Sequence, residues 1–283
     1  MTTEDALAWV ERTVGPARVV GELLGGWTST MLALETAAGE GLVLRLMTRE
    51  PWRTHGAALT TRESEVQRML ADTPVAAPRS VALDADGSSC GHPAHLMTRL
   101  PGSVHTDRPS AADLRSMVAV LVGIHEVVPT IEVRTYQSWA FEAKYVVPPW
   151  STDDGLWEAA FDLLRTPPPA YEPTFLHRDF QPRNLLWSGG RVSGVVDWVE
   201  TSTGPAWLDV AHAASNLAVA HDAEVAETFA QEYAGRTGRE RQPYLEVMDL
   251  VGFLPPPGRP GFLTLPQEHA GAEAWLRLAL GRL

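Results

Sequence analysis

Apolar and polar positions recur with two different periods along this chain, and the change from one to the other divides it. Leu7, Val10 and Val14 share one face of residues 3–14, with Glu4 and Asp5 in the first turn, which predicts a short amphipathic helix. Three short runs follow, Val19–Leu24, Met31–Thr36 and Leu42–Met47. They are separated by Gly25-Gly26-Trp27-Thr28-Ser29-Thr30 and by Gly39-Glu40-Gly41, and they read as strands joined by glycine turns. Helical spacing returns in residues 60–71, where Val66, Met69 and Leu70 lie on one face. A linker, Asp72–Pro78, leads to a strand at Ser80–Leu83, a turn at Asp84–Gly87 and a strand at His95–Leu100 that Pro101-Gly102 closes.

Beyond Gly102 the pattern is largely helical. Ser110-Ala-Ala-Asp113 is a capping box for a helix whose apolar face runs through Leu114, Met117, Val118, Leu121 and Val122 to His125. On that face His125 is expected to be a buried histidine with satisfied partners rather than a ligand. A loop-rich stretch at 127–151 precedes a helix near 153–165 and the prolines at 167–169. From Leu185 the chain reads strand, Ser188-Gly189-Gly190 turn, then strand Val192–Val196, which delivers Asp197 at its end. Further helices are expected at about 207–219, 222–236 and 271–281, with a loop at Pro255–Gly261 between the last two. The whole predicts an α/β (α+β) chain of two unequal lobes: residues 1–101 built on a small antiparallel sheet, and residues 102–283 mainly helical.

Composition narrows the classes. With 283 residues, 45% apolar and 20% charged, the chain has the make-up of an ordinary globular protein with a substantial core. Its net charge is −12, from 9 basic and 12 acidic side chains in residues 1–100 and 14 and 23 in the rest. So acidic a surface argues against a nucleic-acid partner, which needs a basic face. One cysteine, Cys90, rules out an internal disulfide or a cysteine metal site and fits a reducing compartment. The acidic N-terminus lacks the basic and apolar regions of a signal peptide, and the run Met117–Ile124 is far too short to span a membrane. A cytoplasmic protein with no membrane partner is therefore expected; its oligomeric state is not written in the sequence.

The candidate chemistry centres on Leu176-His177-Arg178-Asp179-Phe180-Gln181-Pro182-Arg183-Asn184-Leu185-Leu186-Trp187 and on Gly194-Val195-Val196-Asp197-Trp198. An aspartate, an asparagine five residues later and a second aspartate ending an apolar strand are the groups phosphoryl transfer from ATP needs. One carboxylate orients an attacking hydroxyl and accepts its proton, and hard oxygen ligands hold Mg²⁺ on the phosphates. The spacing is that of the H-R-D-x-x-x-x-N catalytic loop of kinases. A hairpin between Asn184 and Asp197 would bring them together across 13 positions. Arg45, inside the third strand, either points inward to reach phosphates or faces solvent; strand periodicity leaves both open. Glu63 and Glu65 are its candidate partners. A metal-hydrolase reading of His177-x-Asp179 lacks further histidines at suitable spacing, since His212 and His221 are nine apart.

These residues resemble the aminoglycoside phosphotransferase-like small-molecule kinases, relatives of choline and homoserine kinases, over nearly the whole chain. Gly204-Pro-Ala-Trp-Leu-Asp209-Val-Ala-His212 matches the segment that follows the metal aspartate there. Arg62-Glu63, Ala77-Pro78-Arg79 and Leu96-Met97-Thr98-Arg99-Leu100-Pro101-Gly102 look like the family's helix, strand and hinge. The resemblance implies a bilobal protein-kinase-like fold. It implies ATP, with GTP as the alternative, and Mg²⁺ in the cleft. It makes Asp179 the catalytic aspartate and Asn184 and Asp197 the metal ligands. Arg45 becomes the residue on the α- and β-phosphates with Glu63 its partner, and Gly26, Thr28, Ser29 and Thr30 lie in the phosphate loop. Met97, Thr98 and Leu100 fall in the hinge, whose unpaired N–H and C=O groups would meet adenine. Asp209 is read as structural support.

The sequence also departs from that pattern. Arginine stands at 45 where many members have lysine, and the chain's one lysine, Lys144, is elsewhere; arginine keeps the charge and can bind phosphate through two donors. Gln181-Pro-Arg183 replaces a common His-Pro-Gly. Eleven residues separate Asp197 from Asp209, too few for the activation loop of a protein kinase, which leaves Arg178 without the phosphorylated partner it would have there. The acceptor is therefore expected to be a hydroxylated small molecule, with an aminoglycoside as the leading reading. Glu142, Asp153, Asp154 and Glu158 would suit an aminoglycoside, and Trp139, Trp150 and Trp157 a more apolar compound such as a macrolide. A non-antibiotic metabolite, or nucleotide binding without catalysis, are the alternatives.

Overall fold

Strand Leu42–Met47, for which alternation left an inward and a solvent-facing arginine equally open, is covered on both sides. The computed structural model describes residues 3–23 and 29–283. Helix α1 (Thr3–Val14) leads into strands β1 (Ala17–Glu22), β2 (Thr30–Thr36) and β3 (Gly41–Leu46). Helix α2 (Gly56–Leu70) and strands β4 (Ser80–Asp84) and β5 (Ala94–Thr98) complete a five-stranded antiparallel sheet in the order β1-β2-β3-β5-β4. β3 is its central strand. Leu42, Leu44 and Leu46 pack with Leu32, Leu34 and Leu96 under Ala6 and Val10 of α1. The alternate positions of β3 project to the opposite face, towards α2, and that puts Arg45 inside, 3% exposed. Helix α2 begins at Gly56, four residues before the position expected from its apolar spacing. Its far end, Val66, Met69 and Leu70, belongs to the second and larger core.

That core is built after Thr98. Strand β6 (Ser103–Val104) joins helix α3 (Ala111–His125), capped by Ser110 and Asp113 as predicted. Helix α4 (Asp154–Leu164), strand β7 (Pro173–Leu176), the hairpin β8 (Leu185–Ser188) and β9 (Arg191–Val195), and strand β10 (Ser202–Pro205) follow. Helices α5 (Trp207–Ala220), α6 (Ala223–Thr237), α7 (Pro243–Gly252) and α8 (Pro266–Leu280) end the chain. α5 is buried along almost its whole length against α6, α7 and α8. Among the described residues no helix is long and apolar enough to cross a membrane.

Three short strands and one helix were not expected. β7 and β10 are four residues each and carry Pro173 and Gly204-Pro205, which read as loop; antiparallel pairing of Ser202 with Leu176 and of Gly204 with Thr174 makes them a ribbon. β6 pairs Ser103 with Trp187 and adds a strand to the hairpin. α7 was missed because Leu245–Gly252 is buried all round, Glu246 and Asp249 included, so no polar stripe marks its period. α8 starts at Pro266, five residues before its expected start, with the proline in its first turn.

The hinge and the hairpin meet closely. Gly102 adopts φ +110°, and a Cβ there would lie 2.7 Å from the Trp187 carbonyl oxygen; the Ser193 hydroxyl donates to the Pro101 carbonyl at 3.0 Å. The tightest helix contact is Gly271 of α8, where a Cβ would stand 2.1 Å from the Ala218 carbonyl of α5. Gly271→Ala must push two buried helices apart, so its denaturant midpoint should fall by the equivalent of roughly 1–3 kcal/mol or more, with an unchanged slope, in urea unfolding followed by circular dichroism.

Candidate active site

Asp209, in the first turn of α5, sets the local geometry. Its two buried oxygens accept hydrogen bonds from the backbone N–H of His177 at 2.9 Å and of Arg178 at 2.7 Å, and His125 Nε2 lies 3.2 Å away. Burial works against its charge, but His125 and the Arg178 amide hold its carboxyl below the usual carboxylate range. His125 also meets the Tyr233 hydroxyl at 2.7 Å and is the satisfied core histidine expected. Arg178 is thereby kept at φ +73°. Its guanidinium lies 3.6 Å from the Trp139 ring centroid and 3.5 Å from Asp249 of α7. The buried Asp249 carboxylate thus answers the Arg178 charge within the fold.

The turn after Arg178 brings Asp179 to the cleft with 22% of its side chain exposed. Asp179 Oδ1 accepts from Gln181 Nε2 at 2.7 Å and faces His212 Nε2 at 2.9 Å; Oδ2 accepts from Asn184 Nδ2 at 2.9 Å. Burial raises its pKa, but His212, His177 and Gln181 outweigh this and hold the carboxyl below its ordinary value. Beneath it, His177 is buried, with Nδ1 accepting from the Asp179 amide at 3.2 Å and Nε2–H donating to the Val196 carbonyl at 3.0 Å.

The β8–β9 hairpin does bring Asn184 and Asp197 together: the Val196 amide donates to the Asn184 carbonyl at 3.0 Å, next to the Leu185–Val195 pair. Asp197 ends that strand at φ +66°, the left-handed region, so its carboxylate turns back towards Arg45 at 3.1 Å. Arg45 also pairs with Glu63 at 3.3 Å, and Glu63 meets His95 at 3.0 Å, which in turn meets Ser80 at 3.0 Å. Glu65 is exposed, so Glu63 is the partner. Burial pushes the Asp197 carboxyl up despite Arg45, because Glu63 and Asp179 add negative charge nearby. Glu63, fully buried where Asp197 is partly exposed, is held down by Arg45 and His95.

Other expected positions fare unevenly. Gly26 and Thr28 lie outside the described residues. Ser29 is buried, and the Thr30 hydroxyl is 3.0 Å from that of Thr48. In the hinge, Met97 is buried with its sulfur 3.3 Å from Gln67 Nε2. The Thr98 N–H, expected to be unpaired, donates to the Arg79 carbonyl at 2.9 Å, because β4 runs alongside β5 and its approach reaches this point. Leu100 packs its side chain over Gly194, where a Cβ would stand 2.6 Å from Leu100 Cδ1. Among the described residues no three potential His, Cys, Asp or Glu ligands gather into a metal cluster.

A model of the phosphotransferase enzyme family matches residues 19–244. The chain belongs to the phosphotransferase enzyme family. No curated protein sequence matches this phosphotransferase significantly. Among solved structures, the aminoglycoside phosphotransferase APH(4)-Ia superposes with a TM-score of 0.65 over 99% of both chains at 16% identity. The macrolide 2′-phosphotransferase MphH from Brachybacterium faecium gives 0.60 over 88% of this chain and 91% of its own at 20% identity. An aminoglycoside-3′-phosphotransferase of type VIII gives 0.63 over 89% and 99% at 17%. The fold is accordingly the bilobal protein-kinase-like one, a small antiparallel sheet beside a mainly helical part.

Sequence reading of this phosphotransferase missed His212, Asp249 and His95. The signal for His212 was there: Asp209, His212 and Asn216 are spaced i, i+3 and i+7 on one helix. His212 is buried between Asp249 at 3.1 Å and Asp179. Burial opposes its charge, but Asp249 and Asp179 prevail and push its pKa up to about 9 from 6.5. A raised pKa gives stability that is whole below 6.5 and lost as pH rises through about 9. The stability gap between wild type and His212→Gln, measured by urea unfolding, should therefore be largest near pH 6 and shrink towards pH 10. Replacing Arg45 by methionine leaves the buried Glu63 and the partly exposed Asp197 without their shared cation; unfolding should show a loss of roughly 3–5 kcal/mol, chiefly from Glu63.

Proposed function

We propose that this chain transfers the γ-phosphoryl group of ATP, taken as its Mg²⁺ complex, to a hydroxyl of a small molecule. The observation that carries the reading is that two pairs, Asn184 with Asp179 at 2.9 Å and Arg45 with Asp197 at 3.1 Å, are brought side by side by the backbone bond from Val196 to Asn184. Thermostable mutants of APH(4)-Ia form ternary complexes with ADP and hygromycin B and with AMP-PNP and hygromycin B, which supports a nucleotide and a hydroxylated acceptor side by side.

In this reading Asp179 accepts a hydrogen bond from the acceptor hydroxyl, orients it and takes its proton as the bond to phosphorus forms. Asp197 and the side-chain oxygen of Asn184 would hold Mg²⁺. They fit: both offer hard oxygens, Asp197 Oδ1 is buried without a hydrogen bond, and one carboxylate plus an amide suits a cation that keeps water and phosphate ligands. Bound there, Mg²⁺ supplies charge neutralisation on the phosphates. Arg45 would release Asp197 to face the α- and β-phosphates, with Glu63 and His95 fixing its direction. Gly26, Thr28, Ser29 and Thr30 would line the phosphate turn, and Met97, Thr98 and Leu100 the adenine side, the lobes parting near residue 101. Since the Thr98 amide is engaged, the Leu100 backbone is the better adenine contact.

The acceptor reading leans away from a polyamine sugar. Of the acidic candidates, Glu142 is paired with Arg165, and Asp153 caps α4 while meeting Arg277. Trp157 is core, and Trp150 stacks on His269 at 4.2 Å. Trp139 is the aromatic beside Asp179's neighbours, 5.2 Å from the His212 ring, with Phe253 at 5.9 Å from that ring on another side. A hydroxyl borne by a molecule with an apolar face, of macrolide type, suits these rings. Cys90, buried and unpaired, agrees with a reducing cytoplasm.

The test is ADP release from ATP and Mg²⁺ over aminoglycosides, macrolides, choline, homoserine and simple sugars. Acceptor-dependent release should appear, with macrolides above aminoglycosides, and Asp179→Ala should lower it ~10²–10⁴-fold. Asp197→Ala should be at least as damaging. Mg²⁺-dependent ATP binding with no release towards any acceptor would favour a non-catalytic nucleotide-binding protein instead.

A further inference from the structure

His212 has carboxylates at both ring nitrogens. Nδ1 lies 3.1 and 3.3 Å from the two oxygens of Asp249, and Nε2 lies 2.9 Å from Asp179 Oδ1. An ionised carboxylate can only accept, so each ring nitrogen must donate, and the ring that satisfies both is the imidazolium. The Asn216 amide, 3.2 Å from Nε2, donates instead to the His212 carbonyl at 2.9 Å. Every charged group packed around the ring is accounted for. Asp249 also faces Arg178 at 3.5 Å and feels the charge of Lys144, which donates to the Gly252 carbonyl at 2.5 Å, while Asp179 stands on the loop. Trp139 and Phe253 close the remaining sides with aromatic surface.

The lone pairs of Asp179 say what this clamp does. A carboxylate has about two acceptor sites on each oxygen. Oδ1 takes Gln181 Nε2 at 2.7 Å and His212 Nε2, which fills it; Oδ2 takes Asn184 Nδ2 alone. One acceptor site on Oδ2 remains. We propose that His212, anchored by Asp249, is a positioning residue that turns Asp179 Oδ1 into the protein and presents Oδ2 to the acceptor hydroxyl. This rests on the phosphotransfer reading and adds to it the oxygen that acts and the device that selects it. In the transfer, the acceptor O–H bond breaks with its proton passing to Oδ2, the acceptor oxygen bonds to the γ-phosphorus, and the bond to the β,γ-bridging oxygen breaks with its electron pair leaving on ADP. An imidazolium against Oδ1 makes Asp179 a weak base and a well-oriented acceptor, which suits a loose transfer that asks little of the base until late.

The test needs no knowledge of the acceptor. ¹⁵N spectra of the histidine rings should show His212 with both nitrogens protonated at pH 7.5 and titrating near 9, and Asp249→Asn should lower that midpoint. ADP release with water as acceptor, or with any acceptor the panel yields, should fall about 10²-fold in kcat for His212→Phe, with the KM for ATP unchanged. His212→Gln, which keeps a donor without the charge, should recover part of that loss and lack the wild-type fall in rate above pH 9. A neutral His212 ring at pH 7.5 overturns the proposal, as does wild-type kcat with a wild-type pH profile in a folded His212→Phe or His212→Gln protein. Should His212→Phe fail to fold, Asp249→Asn carries the same kinetic and spectral comparison. Silence of the wild type with every acceptor overturns the phosphotransfer reading and this proposal with it, whereas turnover indifferent to His212 overturns this proposal alone.

Discussion

The carboxylate of Asp209 is the constraint from which the site is built. A buried carboxylate is tolerable only when hydrogen bonds replace its hydration, and here the donors are two consecutive backbone amides and a histidine. Consecutive amides can point at one carboxylate only if the chain turns sharply between them, and Arg178 accordingly takes a left-handed conformation that a non-glycine residue adopts at a cost. That turn throws the side chains of Arg178 and Asp179 apart: the first goes down onto Trp139 and Asp249, the second up into the cleft. Because Asp209 and His212 ride on the same helix, the element that bends the loop also holds the carboxylate the bend exposes. α5 is buried against three helices, so both restraints are anchored in the packed core.

The two aspartates facing the cleft are driven in opposite directions by their neighbours. Asp179 has an imidazole and two amides around it and stays ionised; Asp197 shares one guanidinium with Glu63 and feels two other carboxylates, so its charge is held less comfortably. The difference fits the division of labour proposed for them. A group that orients a hydroxyl benefits from fixed donors, while a group that binds a cation benefits from excess negative charge that the cation relieves. Arg45 fills that place here, and its other partner, Glu63, is tied through His95 to Ser80. The guanidinium would therefore keep a second anchor were Asp197 to take a metal, as proposed.

How much of this was legible in the sequence depended on whether chemistry or geometry carried the signal. The loop from His177 to Asn184 and the hairpin to Asp197 were readable because their spacing is set by covalent geometry, a turn and two paired strands. Arg45 was ambiguous because alternation distinguishes faces only when one face is wet, and β3 is dry on both. Glu63 and Glu65 could be separated only by α2's rotation, which places 63 inward. α7 was invisible for the same reason as the burial of β3, an apolar segment with no polar stripe, and with it went Asp249. His212 was set aside because it was weighed against His221 as a metal ligand rather than against Asp209 on its own helix face. The engaged Thr98 amide was hidden by a neighbour: whether a hinge N–H is free depends on how far β4 extends alongside β5, which no local pattern encodes.

The short path from Asp197 to Asp209 has a consequence for how the site is controlled. In those residues the chain makes one tight turn at Trp198–Glu200, pairs β10 back onto β7 and enters α5. Arg62 of α2 donates to the Val199 carbonyl at 2.7 Å, which secures the turn from the sheet side. No slack is left for a segment that could be ordered by phosphorylation. The cation such a segment would answer to, Arg178, is neutralised internally by Asp249 and covered by Trp139, and Asp249 is the group that also holds His212. A charge that waits for a modified loop in a switchable kinase is here satisfied by a residue of the fold. The same pairing that removes the need for a switch anchors the imidazole on Asp179. Geometry at the cleft is therefore held by the packing of α5 and α7 against the loop.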